Sequence, residues 1–319
     1  MNTCATKKSL LFVDDEIRIL RTLKAMFRRD YDVYLANSGK EALTLLDKKK
    51  MDVVVSDQRM PEICGDELLS KVREVQPQAI RMLLTGYMDK KAIIQTINKG
   101  EIFRFISKPW DSDEIKKIIS EAATASEIEH IDLQPQNDSN GGQTVVNNKQ
   151  RWVAEGITKP AVLVLENDNN TRIQIRDIAK KIDVKTHFVN EISGAVGVLH
   201  LRPNIGTVVL SMDERMEDTI TALAMMRRAR PNLITIVLAD MTDSEVAVDL
   251  INHSQVFRYL AKPIADDEFE TIVVDGLIRN HKLKSNKSAA KRYEADHSKL
   301  KISNIMKKVF SIFSSNTSH

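Results

Sequence analysis

The 319-residue sequence has little cysteine, few aromatic residues and no long apolar run. Its two cysteines, Cys4 and Cys64, are too few for a disulfide framework and suit a reducing compartment. No apolar run approaches the roughly 18–20 residues that a transmembrane helix needs. The apolar residues 10–13 are too few for the core of a secretion signal. We therefore expect a cytoplasmic globular protein, and the length indicates two domains.

The sequence also lacks a charge of one sign along its whole length. The formal net charge is +3, but residues 281–319 hold nine Lys/Arg and only two Asp/Glu. The rest of the chain has 38 basic and 42 acidic residues. The positive charge therefore belongs to a C-terminal tail, and the body of the chain has no charge pattern of a nucleic-acid-binding protein.

Short apolar segments alternate with helical patterns in the first part of the chain. Strands are predicted at residues 10–13, 33–36, 53–56, 82–84 and 102–106. The segment VVVS is apolar on both faces, which is typical of a parallel strand covered by helices on each side. Five strands that alternate with helices predict a doubly wound, five-stranded α/β domain of the flavodoxin-like type.

The same pattern occurs a second time after an interruption. The segment IDLQPQNDSNGGQTVVNNKQ is polar and reads as a flexible linker. Strands are then predicted at residues 162–165, 184–189, 208–210, 234–238 and 256–260. Six of thirteen positions are identical between IFRFISKPWDSDE and VFRYLAKPIADDE, which lie 154 residues apart. We predict two copies of one domain, at residues 8–126 and 159–280, with a linker at 127–158 and a basic tail at 281–319.

Polar residues follow the predicted strands of the first copy. They are Asp14 and Asp15, Asp57, Thr85 and Lys108. Because the carboxyl ends of parallel strands meet at one edge of the sheet, these side chains should share one crevice. Three converging carboxylates require a cation or protonation, and hard oxygen ligands suit Mg²⁺. An aspartate in such a site can be the nucleophile that forms an acyl phosphate.

Four motifs, FVDDE, VVVSDQRMPEICG, LLTGY and FISKPW, each lie at a predicted strand end. Over residues 8–126 the chain resembles the receiver domain of two-component response regulators. The resemblance implies that Asp57 accepts a phosphoryl group from a histidine kinase or a phosphotransfer protein. It also implies that Asp14, Asp15, Asp57 and the backbone carbonyl of Arg59 hold Mg²⁺.

The same resemblance assigns roles to three residues on the last two strands. Thr85 and Lys108 would contact the bound phosphoryl group. Phe105 would be the aromatic switch that turns inward when Thr85 moves. That turn would change the surface formed by the helix before the fifth strand, the strand itself and the helix after it. The expected output is a changed contact with a downstream protein or with a second copy of the chain.

The second copy departs from this pattern at most of the chemical positions. Asp14-Asp15 becomes Glu166-Asn167, Thr85 becomes Ala239, and Tyr259 stands for Phe105, whereas Lys108 is kept as Lys262. An alignment without a gap places Ser211 opposite Asp57, and a two-residue shift places Asp213 there instead. We predict a degenerate receiver that keeps the fold and is not phosphorylated.

Two rivals to a phosphoacceptor remain to be tested. An aspartate-nucleophile phosphatase of the haloacid dehalogenase type uses Asp-x-Asp, whereas Asp57-Gln58-Arg59 lacks the second acid. We expect no enzyme activity beyond self-phosphorylation and self-dephosphorylation.

The other rival is a DNA-binding or membrane-associated regulator that acts through the tail. The tail segment LKISNIMKKVFSIF has apolar residues near helical spacing and lysines between them. It could bind a partner, lie on an anionic membrane or pack on the second domain.

Overall fold

The computed structural model describes residues 7–86, 98, 102–128, 152, 155–212, 216–239, 252, 254–286 and 289, with the side chains of 216–218 and 228 excepted. The chain divides into two compact units, Met1–His130 and Ile131–His319. Within the described residues, no helix is long and apolar enough to cross a membrane.

The first unit contains five described strands and four described helices. In chain order they are β1 (Ser9–Val13), α1 (Ile17–Phe27), β2 (Asp32–Ala36), α2 (Gly39–Lys48), β3 (Val53–Asp57), α3 (Gly65–Val75), β4 (Ile80–Thr85), β5 (Arg104–Ser107) and α4 (Ser112–Ser126). Strands β3 and β4 are buried along their whole length, as expected for central strands covered on both faces.

Local sequence explains how two of these helices begin. At α2, the Ser38 side chain accepts a hydrogen bond from the Glu41 backbone N–H, while the Glu41 carboxylate accepts one from the Asn37 N–H. At α4, the Asp111 carboxylate accepts the backbone N–H groups of Asp113 and Glu114. These side chains satisfy backbone donors that have no partner within the first helical turn.

The second unit repeats the arrangement. Its elements are β6 (Ala161–Leu165), α5 (Asn169–Lys181), β7 (Lys185–Val189), α6 (Ile192–Leu201), β8 (Thr207–Ser211), α7 (Met216–Ala229), β9 (Ile234–Ala239), β10 (Arg258–Ala261) and α8 (Asp266–Ser285). All ten predicted strands are present. The last strand of each unit begins two residues later than predicted, at Arg104 and at Arg258.

Both sheets are parallel and have the same strand order. The first sheet is ordered β2-β1-β3-β4-β5, and the second is ordered β7-β6-β8-β9-β10. Strand order reverses beside β1 and β6, which creates the crevice where ligands bind in open α/β sheets. The prediction of two flavodoxin-like α/β units is confirmed.

The sheet register identifies which residue of the second unit occupies the place of Asp57. Asp57 pairs with Leu84, and Ser211 pairs with Leu238, which lies 154 residues after Leu84. The alignment without a gap is therefore the structural one at this strand end. Asp213, the alternative, lies outside the described residues.

The core of the second unit begins before the predicted boundary at residue 159. Trp152 is buried among residues of α5 and α8, and its indole Nε1 donates to the Ile182 carbonyl at 2.8 Å. A large aromatic side chain with a satisfied indole N–H adds considerable apolar area to a core. The segment predicted as a linker therefore contributes at least this residue to the second unit.

Candidate functional site

Four strands of the first sheet bring the predicted polar residues to one edge. Asp14 directly follows β1, Asp57 ends β3, Thr85 ends β4 and Lys108 directly follows β5. All four strands are parallel neighbours, so their carboxyl ends open onto the same crevice. Residues up to 94 positions apart in the chain thereby become neighbours.

Lys108 joins the two buried carboxylates of this crevice. Its Nζ atom lies 2.7 Å from Asp14 Oδ2 and also forms an ion pair with Asp57 Oδ1. The side chains of Asp14 and Asp57 are 1% and 8% exposed. One ammonium therefore serves two desolvated carboxylates, which leaves one negative charge in excess among these three groups.

Burial and the contacts of Lys108 shift the pKa values in the crevice. Burial raises the pKa of Asp14, and its hydrogen bonds from Lys108 and from the backbone N–H of Glu16 offset that effect only in part. Burial alone would lower the pKa of Lys108, but hydrogen bonds to Asp14 and Asp57 outweigh it and raise the pKa. The lysine therefore stays charged at neutral pH.

The loop after Asp57 holds its carboxylate in place. The Arg59 backbone N–H donates to Asp57 Oδ2 at 2.8 Å, and the Gly65 N–H donates to the Gln58 carbonyl at 3.0 Å. A Cβ atom at position 65 would lie 2.2 Å from the Asp57 carbonyl oxygen. Helix α3 can therefore begin this close to the acceptor strand only because residue 65 is glycine.

Thr85 and Phe105, the two residues with predicted roles on the last two strands, are both buried. Thr85 Oγ1 has no hydrogen-bond partner among the described residues. A buried hydroxyl without a partner is costly, so a ligand oxygen that accepts from it would be favoured. Phe105 is 1% exposed in this structure, with its ring inside the unit. The switch role of Phe105 stays a prediction.

The predicted Mg²⁺ ligands are only partly assembled. Asp14 and Asp57 converge on Lys108, whereas Asp15 is exposed and the Arg59 backbone N–H contacts Asp57. Within the described ranges, no group of three or more His, Cys, Asp or Glu side chains is arranged to hold a metal ion. The donors fit Mg²⁺ by type, since carboxylate and carbonyl oxygens are its preferred protein ligands.

The equivalent crevice of the second unit contains a simple ion pair. Glu166 follows β6 as Asp14 follows β1, and Lys262 follows β10 as Lys108 follows β5. Lys262 Nζ lies 2.8 Å from Glu166 Oε2. Glu166 Oε1 accepts the backbone N–H groups of Asn167 and Asp168 at 2.8 and 2.9 Å. One ammonium faces one carboxylate, and both carboxylate oxygens are hydrogen-bonded.

The environment of Glu166 shifts its pKa in the opposite direction to that of Asp14. Burial opposes ionisation, but the Lys262 hydrogen bond, the Asp168 N–H and the nearby Ser211 hydroxyl together lower the pKa of Glu166. The Ser211 hydroxyl lies beside Glu166 without meeting hydrogen-bond geometry. Ala239 offers no hydroxyl at the position of Thr85, and Asn167 is exposed. The ion pair between Glu166 and Lys262 was not predicted from the sequence. The second copy does keep an acid at the position of Asp14 and a lysine at the position of Lys108, and these two residues could have indicated the pair.

Comparison with known proteins identifies the first unit. Residues 10–120 match the response regulator receiver domain family. The hydrogenase transcriptional regulatory protein HoxA of Bradyrhizobium diazoefficiens is 34% identical over 114 residues, which cover 36% of this chain and 24% of HoxA. The transcriptional regulatory protein GlrR of Escherichia coli is 34% identical over 118 residues, which cover 37% of this chain and 26% of GlrR. The chain thus spans about a quarter of the length of these curated relatives.

A solved structure also matches one unit. A receiver domain protein (CheY-like) from Methanospirillum hungatei JF-1 is 26% identical, and the match covers 38% of this chain and 98% of that chain, with a TM-score of 0.37. The matched relatives are transcriptional regulators, and the matched family is one of signalling domains rather than enzymes. The match to the family, together with the strand order and the strand-end residues, shows that residues 10–120 form a receiver domain of two-component response regulators.

Proposed function

We propose that Asp57 is the phosphoacceptor of this chain and that a histidine kinase or a phosphotransfer protein is the donor. The main support is the crevice in which Lys108 joins Asp14 and Asp57 at the strand ends that also carry Thr85. The buried Thr85 hydroxyl has no hydrogen-bond partner in the described part of the chain. A carboxylate oxygen of Asp57 attacks the phosphorus. A P–O bond forms, the P–N bond to the donor imidazole breaks, and the leaving imidazole takes up a proton.

The surrounding residues have complementary roles in this proposal. Asp14, Asp15, Asp57 and the Arg59 carbonyl would hold Mg²⁺, which when bound supplies positive charge to offset that of the phosphoryl oxygens. Lys108 would leave the carboxylate of Asp57 and contact a phosphoryl oxygen, and the Thr85 hydroxyl would donate to another. The loop from Asp57 to Gly65 keeps the acceptor in place during the reaction.

The second unit is proposed to be a degenerate receiver that is not phosphorylated. The support is the Glu166–Lys262 pair, in which both carboxylate oxygens are already bonded, together with Ser211 and Ala239 at the chemical positions. A serine at a strand end has neither the charge nor the activated oxygen of an aspartate. The unit would instead contribute a protein surface.

The output is proposed to be a changed protein–protein contact in the cytoplasm, with a downstream protein or a second copy of the chain. Loss of the Lys108–Asp57 ion pair on phosphorylation is the local event, and movement of Thr85 and Phe105 would carry it to the surface of β5 and α4. The alternative, a regulator that binds DNA or a membrane through residues 281–319, concerns a tail of which only 281–286 and 289 are described.

Intact-mass measurement after incubation with acetyl phosphate and Mg²⁺ tests the phosphoacceptor. We expect one phosphoryl group per chain in the wild type and in the exposed-site control Asp47→Ala. We expect none in Asp57→Ala. Lys108→Ala should accept the group slowly and fail to change its contacts. Undiminished labelling of Asp57→Ala would contradict the assignment.

A further inference from the structure

Helix α6 presents an outer face without charge, in contrast to its counterpart in the first unit. Its sequence, ISGAVGVLHL, contains no Asp, Glu, Lys or Arg, whereas α2, GKEALTLLDK, contains four. The inner face of α6 is formed by Ala195, Val196 and Leu199, which are buried. An ordinary surface helix has charged or polar residues on the side away from the core.

The α6 outer face is the set of residues opposite that buried side. It consists of Ser193, Gly194, Gly197, Val198 and Leu201. Leu201 is 80% exposed, and a Cβ atom at position 197 would meet no atom within 4 Å. The glycine is therefore not required by contacts of the described fold, and glycine within a helix costs about 1 kcal/mol relative to alanine. A low, apolar surface with a projecting leucine suits the apolar face of another helix.

The last described residues of the chain lie near this surface. The side chain of Lys284, near the end of α8, donates to the Asn204 carbonyl at 3.1 Å, three residues beyond Leu201. The described part of the chain ends shortly afterwards, with Asn286 and Ala289. The C-terminal end of α8 therefore lies close to the C-terminal end of α6.

Residues 300–313 have the pattern that such a surface would accept. Ile302, Met306, Val309 and Phe313 fall on one side of a helix at spacings of four, three and four residues. Residues 290–299 would connect this segment to Ala289, which is buried against Ile234 and Leu283. A random-coil connection of ten residues has an r.m.s. reach of roughly 17 Å. Helix α6, with ten residues, is about 15 Å long. The tether can therefore place residues 300–313 along the whole of α6.

We propose that residues 300–313 of the same chain bind as an amphipathic helix to the α6 outer face. The short tether raises the effective concentration to the order of millimolar, so that even a weak apolar contact is occupied. The interaction does not depend on phosphorylation of Asp57. It would shield the apolar side of the tail and leave its lysines in solvent.

Hydrogen exchange of the full chain tests the proposal. Peptides from residues 300–313 should exchange about tenfold more slowly in the wild type than in Leu201→Lys. The matched control is Ile173→Lys, since Ile173 is a 52% exposed residue on α5 of the same unit. Its exchange should equal that of the wild type. Equal exchange in the wild type and Leu201→Lys would overturn the proposal.

Disulfide cross-linking provides a second test of the proposed contact, which does not depend on whether the Leu201→Lys variant folds. Leu201→Cys and Val309→Cys are combined with Cys4→Ser and Cys64→Ser, and disulfide formation is followed at increasing dilution. We expect a cross-link within one chain whose yield does not depend on concentration. Cross-links only between chains would identify a second copy as the occupant and overturn the proposal. Protection that appears only with phosphatidylserine vesicles would overturn it in favour of a membrane.

Discussion

The two crevices of this chain lie at equivalent positions of two equivalent sheets but differ in their charge balance. In the first, Lys108 is shared by Asp14 and Asp57. In the second, Lys262 pairs with Glu166 alone. The fold accommodates both arrangements, because each lysine follows the last strand of its sheet and reaches the acid that follows the first strand. The excess carboxylate distinguishes the crevice that we propose binds a further cation from one in which a single acid is already paired.

This difference suggests which contacts belong to the fold and which to the chemistry. The lysine and the acid after the first strand occur in both units, so they stabilise the edge of the sheet whether or not a phosphoryl group is accepted. The second carboxylate at the end of the third strand and the hydroxyl at the end of the fourth occur only in the first unit. We propose that these two positions are the main reason why phosphoacceptor chemistry belongs to one unit.

The largest expected effect comes from building the first crevice into the second unit. In an Asp57→Ala background, which should not be labelled, four substitutions are added: Glu166→Asp, Asn167→Asp, Ser211→Asp and Ala239→Thr. We expect labelling by acetyl phosphate and Mg²⁺ to appear, since Lys262 is already present. Intact mass gives the stoichiometry, and omission of Ser211→Asp is the matched control. Absence of labelling in a folded variant would show that these side chains do not account for the difference.

A smaller effect is expected from removing each lysine. Lys262→Ala leaves the buried Glu166 without its cation and should lower the free energy of unfolding by about 3–5 kcal/mol at pH 7. Lys108→Ala leaves two buried carboxylates and should be similarly destabilising. Added Mg²⁺ should restore stability only in Lys108→Ala, because only that crevice keeps two acids that face each other.

Tryptophan fluorescence separates the two measurements, since Trp110 lies in the first unit and Trp152 in the core of the second. Unfolding of the first unit is followed in a Trp152→Phe background, and unfolding of the second in a Trp110→Phe background. An equal response of both lysine variants to Mg²⁺ would refute the distinction between the crevices.

The smallest effect is a pH dependence that belongs to the second unit. The pKa of Glu166 is lower in the folded protein than its ordinary value. Such a group contributes stability above its unfolded pKa, about 4.3, and this contribution is lost as the pH falls through the folded pKa. Glu166→Gln should therefore be less stable than the wild type by about 1–3 kcal/mol at pH 7. The gap should shrink below about pH 4.

Urea unfolding followed by Trp152 fluorescence between pH 3 and pH 7 measures this gap. The exposed Glu191, which has no side-chain capping bond, provides the control Glu191→Gln. A gap between the wild type and Glu166→Gln that stays constant with pH would argue against a stabilising ionised Glu166.

Much of the fold follows from the sequence, because apolar segments such as VVVS can form only fully covered strands in this context. The ten strands and their arrangement in two five-stranded parallel sheets agree with the prediction. The limits of the second unit were less predictable. Trp152 lies in a polar segment, and its contact with Ile182 depends on the packing of α5 and α8, which no local pattern reveals.

The sequence predicted which residues lie together at the strand ends, but it did not predict which of their side chains contact each other. Parallel strands bring Asp14, Asp57 and Lys108 to one edge whatever their side chains do. The sequence does not specify that Lys108 contacts both carboxylates while Asp15 is exposed, since the rotamers depend on local desolvation and charge. The close approach of Gly65 to Asp57 also depends on where α3 begins.

Calorimetric titration of the full chain with Mg²⁺ tests the central claim most directly, namely that only one crevice needs an additional cation. We predict one binding site per chain, lost in Asp57→Ala and in Asp14→Asn and unchanged in Glu166→Gln. Two sites of similar affinity, or loss of binding in Glu166→Gln, would contradict the account.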